Sequence, residues 1–264
     1  MGDLLVLWDV DGTLLNAGGV GVDLYEKVFA QLFGCPPGAF APMAGRTDRA
    51  IILETLELAG IAEPRRYVDP FISGLSAHAP SVREAVAARG HVLPGAAEAL
   101  AALAAASAPD TRPVPVGVGG NGAGPPGGNG AGPPGGNGRV RQSVLTGNVR
   151  PLAEVKLAAL GLREGLDLCI GAYGDDHEER AELVHVARRR AGAVHGRLPG
   201  DFDGTATVVV GDTPLDVEAA LAAGARAIGV ATGRYTAADL IAAGAHAVLP
   251  DLTDTRLVTE TLLP

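Results

Sequence analysis

Two aspartates separated by one residue, Asp9 and Asp11, come directly after an apolar run, Leu4–Trp8. Residues i and i+2 of an extended strand lie on the same side, so both carboxylates can face one site. Gly12 follows them and permits a sharp turn or a close ligand approach. Carboxylates about 3 Å apart need a cation between them or a shared proton. The pair predicts a metal site or an acid/base division of labour, and phosphoryl transfer can use both.

A second set of carboxylates follows a second apolar run, 206–210. Thr213 and Pro214 are typical of a helix N-cap and first helical residue, which puts Asp216 at the third helical position. Asp216 therefore either caps that helix or contributes to a metal site. Asp212 precedes the helix and is the better candidate for a metal ligand.

Between these acidic strings, Thr146, Gly147 and Asn148 follow a short apolar segment, 143–145. A hydroxyl and neighbouring backbone N–H groups at a strand end can hold a phosphate oxygen without adding charge. The helical stretch that follows contains one basic residue of interest, Lys156. Its ammonium group could neutralise both a carboxylate nucleophile and an incoming phosphate.

These strings, DVDGTL, LTGN, Lys156 and GDTPLD, resemble in order the four signatures of the haloacid dehalogenase-like (HAD) hydrolase superfamily. The resemblance covers nearly the whole chain and implies a phosphatase whose nucleophile is Asp9 and whose general acid/base is Asp11. The dehalogenase branch lacks that second acid. Further catalytic or phosphate-binding roles are implied for Thr146, Gly147, Asn148 and Lys156. The implied cofactor is Mg²⁺, held by Asp9, the Asp11 backbone carbonyl and Asp212, with Asp216 as a further candidate.

The string 44–48 resembles a loop that closes over the active site in relatives of phosphoglycolate phosphatase. Within it, Arg46 could contact a carboxylate or hydroxyl of the substrate. Thr47 and Asp48 are also typical of a helix start. The branch expected for this chain is therefore the phosphoglycolate phosphatase-like one, with a helical cap.

Apolar runs that alternate with Ala-rich helical stretches predict the elements that position these residues. The fold expected is α/β, a Rossmann-like doubly wound parallel sheet, with shorter candidate strands at 143–145, 166–170, 227–230 and 247–249. The core comprises residues 1–16 and 91–264. Residues 17–90 have helical patterns at 22–33, 48–59 and 82–88 and form an inserted α-helical cap. The Gly/Pro/Asn-rich segment 115–138 contains the repeated octapeptide GGNGAGPP and predicts a disordered loop.

Bulk composition limits the partners. The formal net charge is −9 and the chain has two cysteines, Cys35 and Cys169. We expect a cytoplasmic enzyme, monomeric or homodimeric, with no nucleic-acid or membrane partner, acting on a small phosphorylated metabolite. Two alternatives stay open: a phosphomutase of the β-phosphoglucomutase type, and a catalytically idle binding protein of the same fold.

Overall fold

A central parallel sheet organises the computed structural model, which describes residues 3–106, 139–196, 198 and 200–264. The strands in this part of the chain are β1 (Leu4–Trp8), β2 (Leu15–Asn16), β3 (His91–Val92), β4 (Val140–Val144), β5 (Thr207–Gly211), β6 (Arg226–Val230) and β7 (Ala247–Leu249). Five of them form the sheet in the order β4-β1-β5-β6-β7, and each neighbouring pair is parallel. The predicted α/β class is confirmed.

The apolar run of β1 is buried on both faces because the sheet has a helical layer on each side. Leu4, Val6 and Trp8 belong to one hydrophobic cluster, whereas Leu5 and Leu7 belong to another. This division follows the alternation of side chains along a strand. It explains why the sequence of β1 is apolar at every position rather than at alternate positions.

Helices connect these strands. In the described part of the chain they are α1 (Val20–Phe33), α2 (Asp48–Leu58), α3 (Arg65–His78), α4 (Arg83–Arg89), α5 (Ala96–Ala106), α6 (Arg150–Ala159), α7 (Arg180–His195), α8 (Pro214–Ala222), α9 (Ala237–Ala242) and α10 (Thr255–Leu262). The first cluster packs against α5 and α10, and the second packs against α7 and α8. None of these helices is long and apolar enough to cross a membrane.

The helices α1 to α4 form a helical insert between β2 and β3, which pair antiparallel. The insert has its own hydrophobic cluster, which includes Phe29, Ile52 and Phe71. Val149 and Leu152, from the start of α6, complete that cluster. The insert is thus packed directly onto the loop that follows β4, at the carboxyl edge of the sheet.

Two details of the predicted secondary structure need correction. The segment 166–170 is a turn region and not a strand, and the nearest strand-like contact is an isolated bridge between Leu145 and Ala172. The pattern also gave no indication of α3, which contains Pro70 in its interior. Proline usually ends a helix, so its presence hid the element. The predicted loop 115–138 lies outside the described residues.

Candidate active site

The carboxyl ends of three neighbouring strands place the predicted residues together. Asp9 follows β1, Thr146 comes just after β4, and Asp212 follows β5. The backbone N–H of Asp9 donates to the carbonyl of Val210 at 2.8 Å, so the exit of β1 is held against β5. Open α/β sheets bind their ligands at this edge, beside the strand from which the connections to its two neighbours lead in opposite directions. Here β1 is that strand, with β4 on one side and β5 on the other.

Asp9, Asp212 and Asp216 form a buried carboxylate cluster, in which one oxygen from each residue lies within 4.8 Å of the others. Burial, together with the negative charge of Asp216, raises the pKa of Asp9 well above its ordinary range. The same two causes raise the pKa of Asp212 to about 7. Three carboxylates cannot all stay ionised in one buried space without a cation. Their oxygen atoms are hard donors, which suit a divalent cation such as Mg²⁺. The residues present therefore fit the ion that the sequence predicted.

Glycines let the backbone approach Asp212 from two sides. Gly12 has a positive φ of 92°, and a Cβ atom added to it would collide with the Asp212 carboxylate. A Cβ on Gly233 would collide with the same group. Thr13 donates from its hydroxyl to Asp212 at 3.2 Å. The carboxylate is therefore fixed by close packing as well as by hydrogen bonding.

Asp216 both caps α8 and joins the carboxylate cluster. One of its oxygens accepts from the backbone N–H of Thr213 at 3.0 Å and from its hydroxyl at 2.7 Å, completing a reciprocal capping box. Its other oxygen accepts from Arg180 at 2.5 Å. The capping role that the sequence left open for Asp216 is therefore present, and the oxygen that the cap does not use is held by Arg180.

Arg180 is the site residue that sequence reasoning missed. It begins α7, is buried, and donates from Nη2 to Asp9 at 2.7 Å as well as to Asp216. These two carboxylates raise its guanidinium pKa, whereas burial opposes the rise. Its Nε is buried and has no hydrogen-bond partner among the described residues. One sequence feature could have indicated it. Arg180 is a basic residue at the start of a helix, and that helix follows Ala172, which bridges to Leu145 just after β4.

Asp11 faces a different group of residues. Its carboxylate accepts from Lys156 Nζ at 2.7 Å and from Asn148 Nδ2 at 2.6 Å. Asn148 also accepts from Lys156 at 2.7 Å and donates to the hydroxyl of Thr146 at 2.8 Å. The Asp11 side chain remains 39% exposed, while that of Lys156 is only 4% exposed. Asp11 is thus held in one orientation and still reaches the cavity.

Gly147 makes the turn between the strand end and Asn148 in a space too narrow for a side chain. A Cβ there would overlap the backbone carbonyl of Arg46. The Gly147 carbonyl accepts from the backbone N–H of Asp48 at 2.7 Å. The loop of residues 146–149, which we call the phosphate loop after its predicted role, is thus clamped directly to the start of α2.

The predicted substrate contact, Arg46, lies at the cavity, but its guanidinium is engaged within the insert. Nη1 pairs with Glu54 at 2.6 Å and donates to the Pro42 carbonyl at 3.2 Å. Nη2 donates to the Ala50 carbonyl at 3.4 Å. Arg46 therefore reaches the cavity with its charge already paired.

One cavity of about 360 Å³ joins these groups between the sheet edge and the helical insert. Most of the predicted site residues line it: Asp9, Asp11, Arg46, Thr146, Gly147, Asn148, Lys156 and Asp212. Arg180 lines it too, whereas Asp216 lies outside its lining. Buried carboxylates, two buried cations and the hydroxyl of Thr146 can together bind and transfer a phosphoryl group.

Comparison with known proteins agrees with this arrangement. Residues 181–255 match the family model described as HAD-hydrolase-like. No curated protein sequence matches the chain. Among solved structures, a haloacid dehalogenase-like family hydrolase from Streptococcus pneumoniae is similar over 99% of both chains, with a TM-score of 0.56 and 12% identity.

Two further structures extend this likeness. A predicted phosphatase from Clostridium acetobutylicum is similar over 99% of both chains, with a TM-score of 0.60 and 16% identity. CbbY from Rhodobacter sphaeroides, solved in complex with phosphate, is similar over 96% of both chains, with a TM-score of 0.58 and 18% identity. The chain has the fold of the HAD-like hydrolases, as its four signatures predicted.

Proposed function

We propose that this chain, which has the HAD-like hydrolase fold, is a Mg²⁺-dependent phosphatase that hydrolyses a small phosphorylated metabolite through an aspartyl-phosphate on Asp9. One observation carries the proposal. The Asp9 carboxylate lies at a cavity that also receives the buried cations Arg180 and Lys156 and the half-exposed acid Asp11. Phosphate esters are dianionic near neutral pH, so a carboxylate can attack one only where cations offset the repulsion.

In the first chemical step, an Asp9 oxygen forms a bond to phosphorus as the bond from phosphorus to the ester oxygen breaks. Asp11 delivers a proton to the departing alkoxide, and Lys156 and Asn148 hold Asp11 in position for this transfer. In the second step, Asp11 takes a proton from water, whose oxygen attacks phosphorus. The bond between Asp9 and phosphorus then breaks and releases inorganic phosphate.

Mg²⁺, when bound by Asp9, Asp212 and the Asp11 backbone carbonyl, would supply positive charge beside the transferring group. Arg180 steadies the Asp9 carboxylate through Nη2. Thr146, Gly147 and Asn148 line the other side of the cavity, where they would contact the phosphate. Asp216 holds Arg180 through a hydrogen bond and adds a third carboxylate to the cluster.

The cellular setting is also a proposal. We place the protein in the cytoplasm, since Cys35 and Cys169 are exposed and unpaired, as expected in a reducing compartment. The monomer and the homodimer are both compatible with this assignment.

The decisive experiment measures inorganic phosphate released from a panel of several dozen phosphorylated metabolites, with Mg²⁺ and with a chelator. Asp9→Asn and Asp11→Asn should each retain less than a few per cent of the activity while keeping the wild-type circular dichroism spectrum. Asp69→Asn is the matched control, because that carboxylate is 78% exposed on α3. Considerable activity in Asp9→Asn would overturn the nucleophile assignment.

The same panel separates the alternatives. A phosphomutase would convert a sugar phosphate only in the presence of a bisphosphate activator and would release little free phosphate. An idle binding protein would hydrolyse nothing at any Mg²⁺ concentration. Steady, chelator-sensitive phosphate release supports the phosphatase over both.

A further inference from the structure

The cavity that holds Asp9 also has a second wall, which the alcohol part of a substrate must face. This wall comes mainly from the helical insert and α6, and its aliphatic members are Val22, Met43, Ala44, Ile51 and Leu152. Gly19 and Gly21 widen it without adding a polar side chain. A ligand group beyond the phosphate therefore meets mostly apolar surface.

The two buried polar side chains on this wall, Tyr25 and Asp48, are already paired within the protein. The hydroxyl of Tyr25 donates to Asp48 Oδ1 at 2.6 Å, and the backbone N–H of Val149 donates to Asp48 Oδ2 at 2.6 Å. Both Tyr25 and Asp48 are buried. The Asp48 carboxylate would repel an acidic substituent in the cavity, and its hydrogen-bond partners leave no free donor to attract one.

The insert's own cation at the cavity, Arg46, does not reverse this preference. Its guanidinium is neutralised by Glu54 at 2.6 Å and satisfied by two backbone carbonyls. Taken with Asp48, these groups give the insert's side of the cavity more negative than positive charge. A substrate carboxylate would have to break the pair with Glu54 before it could use Arg46.

One other cation lines the cavity, from the loop after β6. Arg234 is exposed, stacks over the ring of Tyr235 with its guanidinium carbon 4.9 Å from the centroid, and donates to that hydroxyl at 2.8 Å. Solvent screens an exposed charge of this kind, so its attraction for an acidic group is weak. Arg234 therefore contributes less to substrate selection than the wall formed by the insert and α6.

We infer that the substrate's leaving group is an uncharged, largely apolar alcohol, and that esters carrying a second anionic group are disfavoured. This inference rests on the proposed phosphatase function. It differs from the carboxylate contact that the sequence suggested for Arg46, because the structure pairs that guanidinium inside the insert.

The test compares kcat/KM for two esters of similar size, n-propyl phosphate and 2-phosphoglycolate, on the wild-type protein with Mg²⁺. We expect a preference of at least tenfold for n-propyl phosphate. An equal or higher kcat/KM for 2-phosphoglycolate would overturn the inference while leaving the phosphatase function intact. If neither ester nor p-nitrophenyl phosphate is hydrolysed, the proposed function itself fails.

A pair of variants on α2 tests the cause. Glu54→Gln removes the partner of Arg46 and should shift the ratio of kcat/KM at least threefold towards 2-phosphoglycolate. Glu57→Gln, an exposed acid on the same helix, should leave the ratio unchanged. The double variant Glu54→Gln/Arg46→Met should lose the shift. A ratio that does not move in Glu54→Gln would overturn the assigned role of this ion pair.

Discussion

Asp48 ties the helical insert to the phosphate loop, and its removal should separate the two. The residue is buried at the start of α2 and accepts from the Tyr25 hydroxyl and from the backbone N–H of Val149. Its own backbone N–H donates to Gly147, and that of Arg49 donates to the carbonyl of Gly174 at 3.2 Å. Replacing Asp48 by Ala keeps these backbone bonds available and deletes only the carboxylate.

The expected loss can be worked from the two donors left behind. A buried donor without a partner costs about 1–3 kcal/mol, so Asp48→Ala should lower the free energy of unfolding by about 2–6 kcal/mol at pH 7.5. That is a large share of the roughly 5–15 kcal/mol typical of a folded domain. Tyr25→Phe removes one hydrogen bond without stranding a donor and should cost about 1–2 kcal/mol.

Urea unfolding followed by circular dichroism measures both values. The double variant Asp48→Ala/Tyr25→Phe should be less destabilised than the sum of the single changes, since the phenol no longer needs an acceptor. Glu26→Ala, an exposed acid beside Tyr25 on α1, is the control and should change stability by less than about 0.5 kcal/mol. Strictly additive effects, or a loss below about 1 kcal/mol for Asp48→Ala, would refute the reasoning.

The same carboxylate should leave a signature in the pH dependence of stability. Burial raises the pKa of Asp48 to about 6, although hydrogen bonds from Tyr25 and Val149 oppose the rise. An aspartate in the unfolded chain has a pKa of about 3.9, so between pH 4 and 6, roughly, the folded chain binds more protons than the unfolded chain. Stability contributed by this group is therefore full below about pH 4 and lost as the pH rises through about 6, by about 3 kcal/mol. Asp48→Asn should lack this component, so unfolding curves that run parallel to those of the wild type would contradict it.

Three other changes test the site and the topology. Arg180→Met leaves two buried carboxylates without their cation and should cost about 3–5 kcal/mol in chelator, with part of the loss recovered in Mg²⁺; equal losses in both conditions would count against a cation in the cluster. Gly147→Ala should lower kcat/KM at least tenfold because its Cβ displaces the Arg46 carbonyl, whereas Gly38→Ala, in open space, should not. Replacing 119–138 with a short Gly/Ser turn should leave kcat/KM within about twofold and stability within about 1 kcal/mol. The reason is that β4 enters the sheet beside Leu4, at the edge opposite Asp9. A tenfold loss of activity would refute this reasoning.

Local patterns explain why much of the site was visible in the sequence. Asp9 and Asp212 each follow a run buried on both sides, and parallel strands bring their carboxyl ends to one edge. The capping box of Thr213 and Asp216 was readable because all of its groups lie within four residues. Lys156 was found as the basic residue on the helix after the phosphate loop, but it pairs with Asp11, whereas the predicted nucleophile Asp9 is paired with Arg180.

Long-range pairing explains what the sequence did not reveal. Arg180 contacts Asp9 across 171 positions, and the element before it was misplaced, so nothing local linked the two. The partner of Arg46 was equally hidden, because whether its guanidinium turns to Glu54 or to the cavity depends on how the insert packs. Pro70 concealed α3 for a different reason, since its ring is a strong signal against a helix and the packing of Phe71 and Leu75 overrides it.

Charge balance within the site connects these observations. Within the described part of the chain, Asp9, Asp11, Asp212 and Asp216 face two buried cations, Lys156 and Arg180, so the site has more acidic than basic groups. Each cation is already shared: Lys156 serves Asp11, and Arg180 bridges Asp9 and Asp216. Burial and the neighbouring Asp216 already raise the pKa values of Asp9 and Asp212 in the protein alone, so a phosphate dianion entering this cavity needs further positive charge. Under the proposed function the site receives phosphate only together with a divalent cation, so we predict that phosphate binding depends on Mg²⁺ even in Asp9→Asn, where no chemistry can follow.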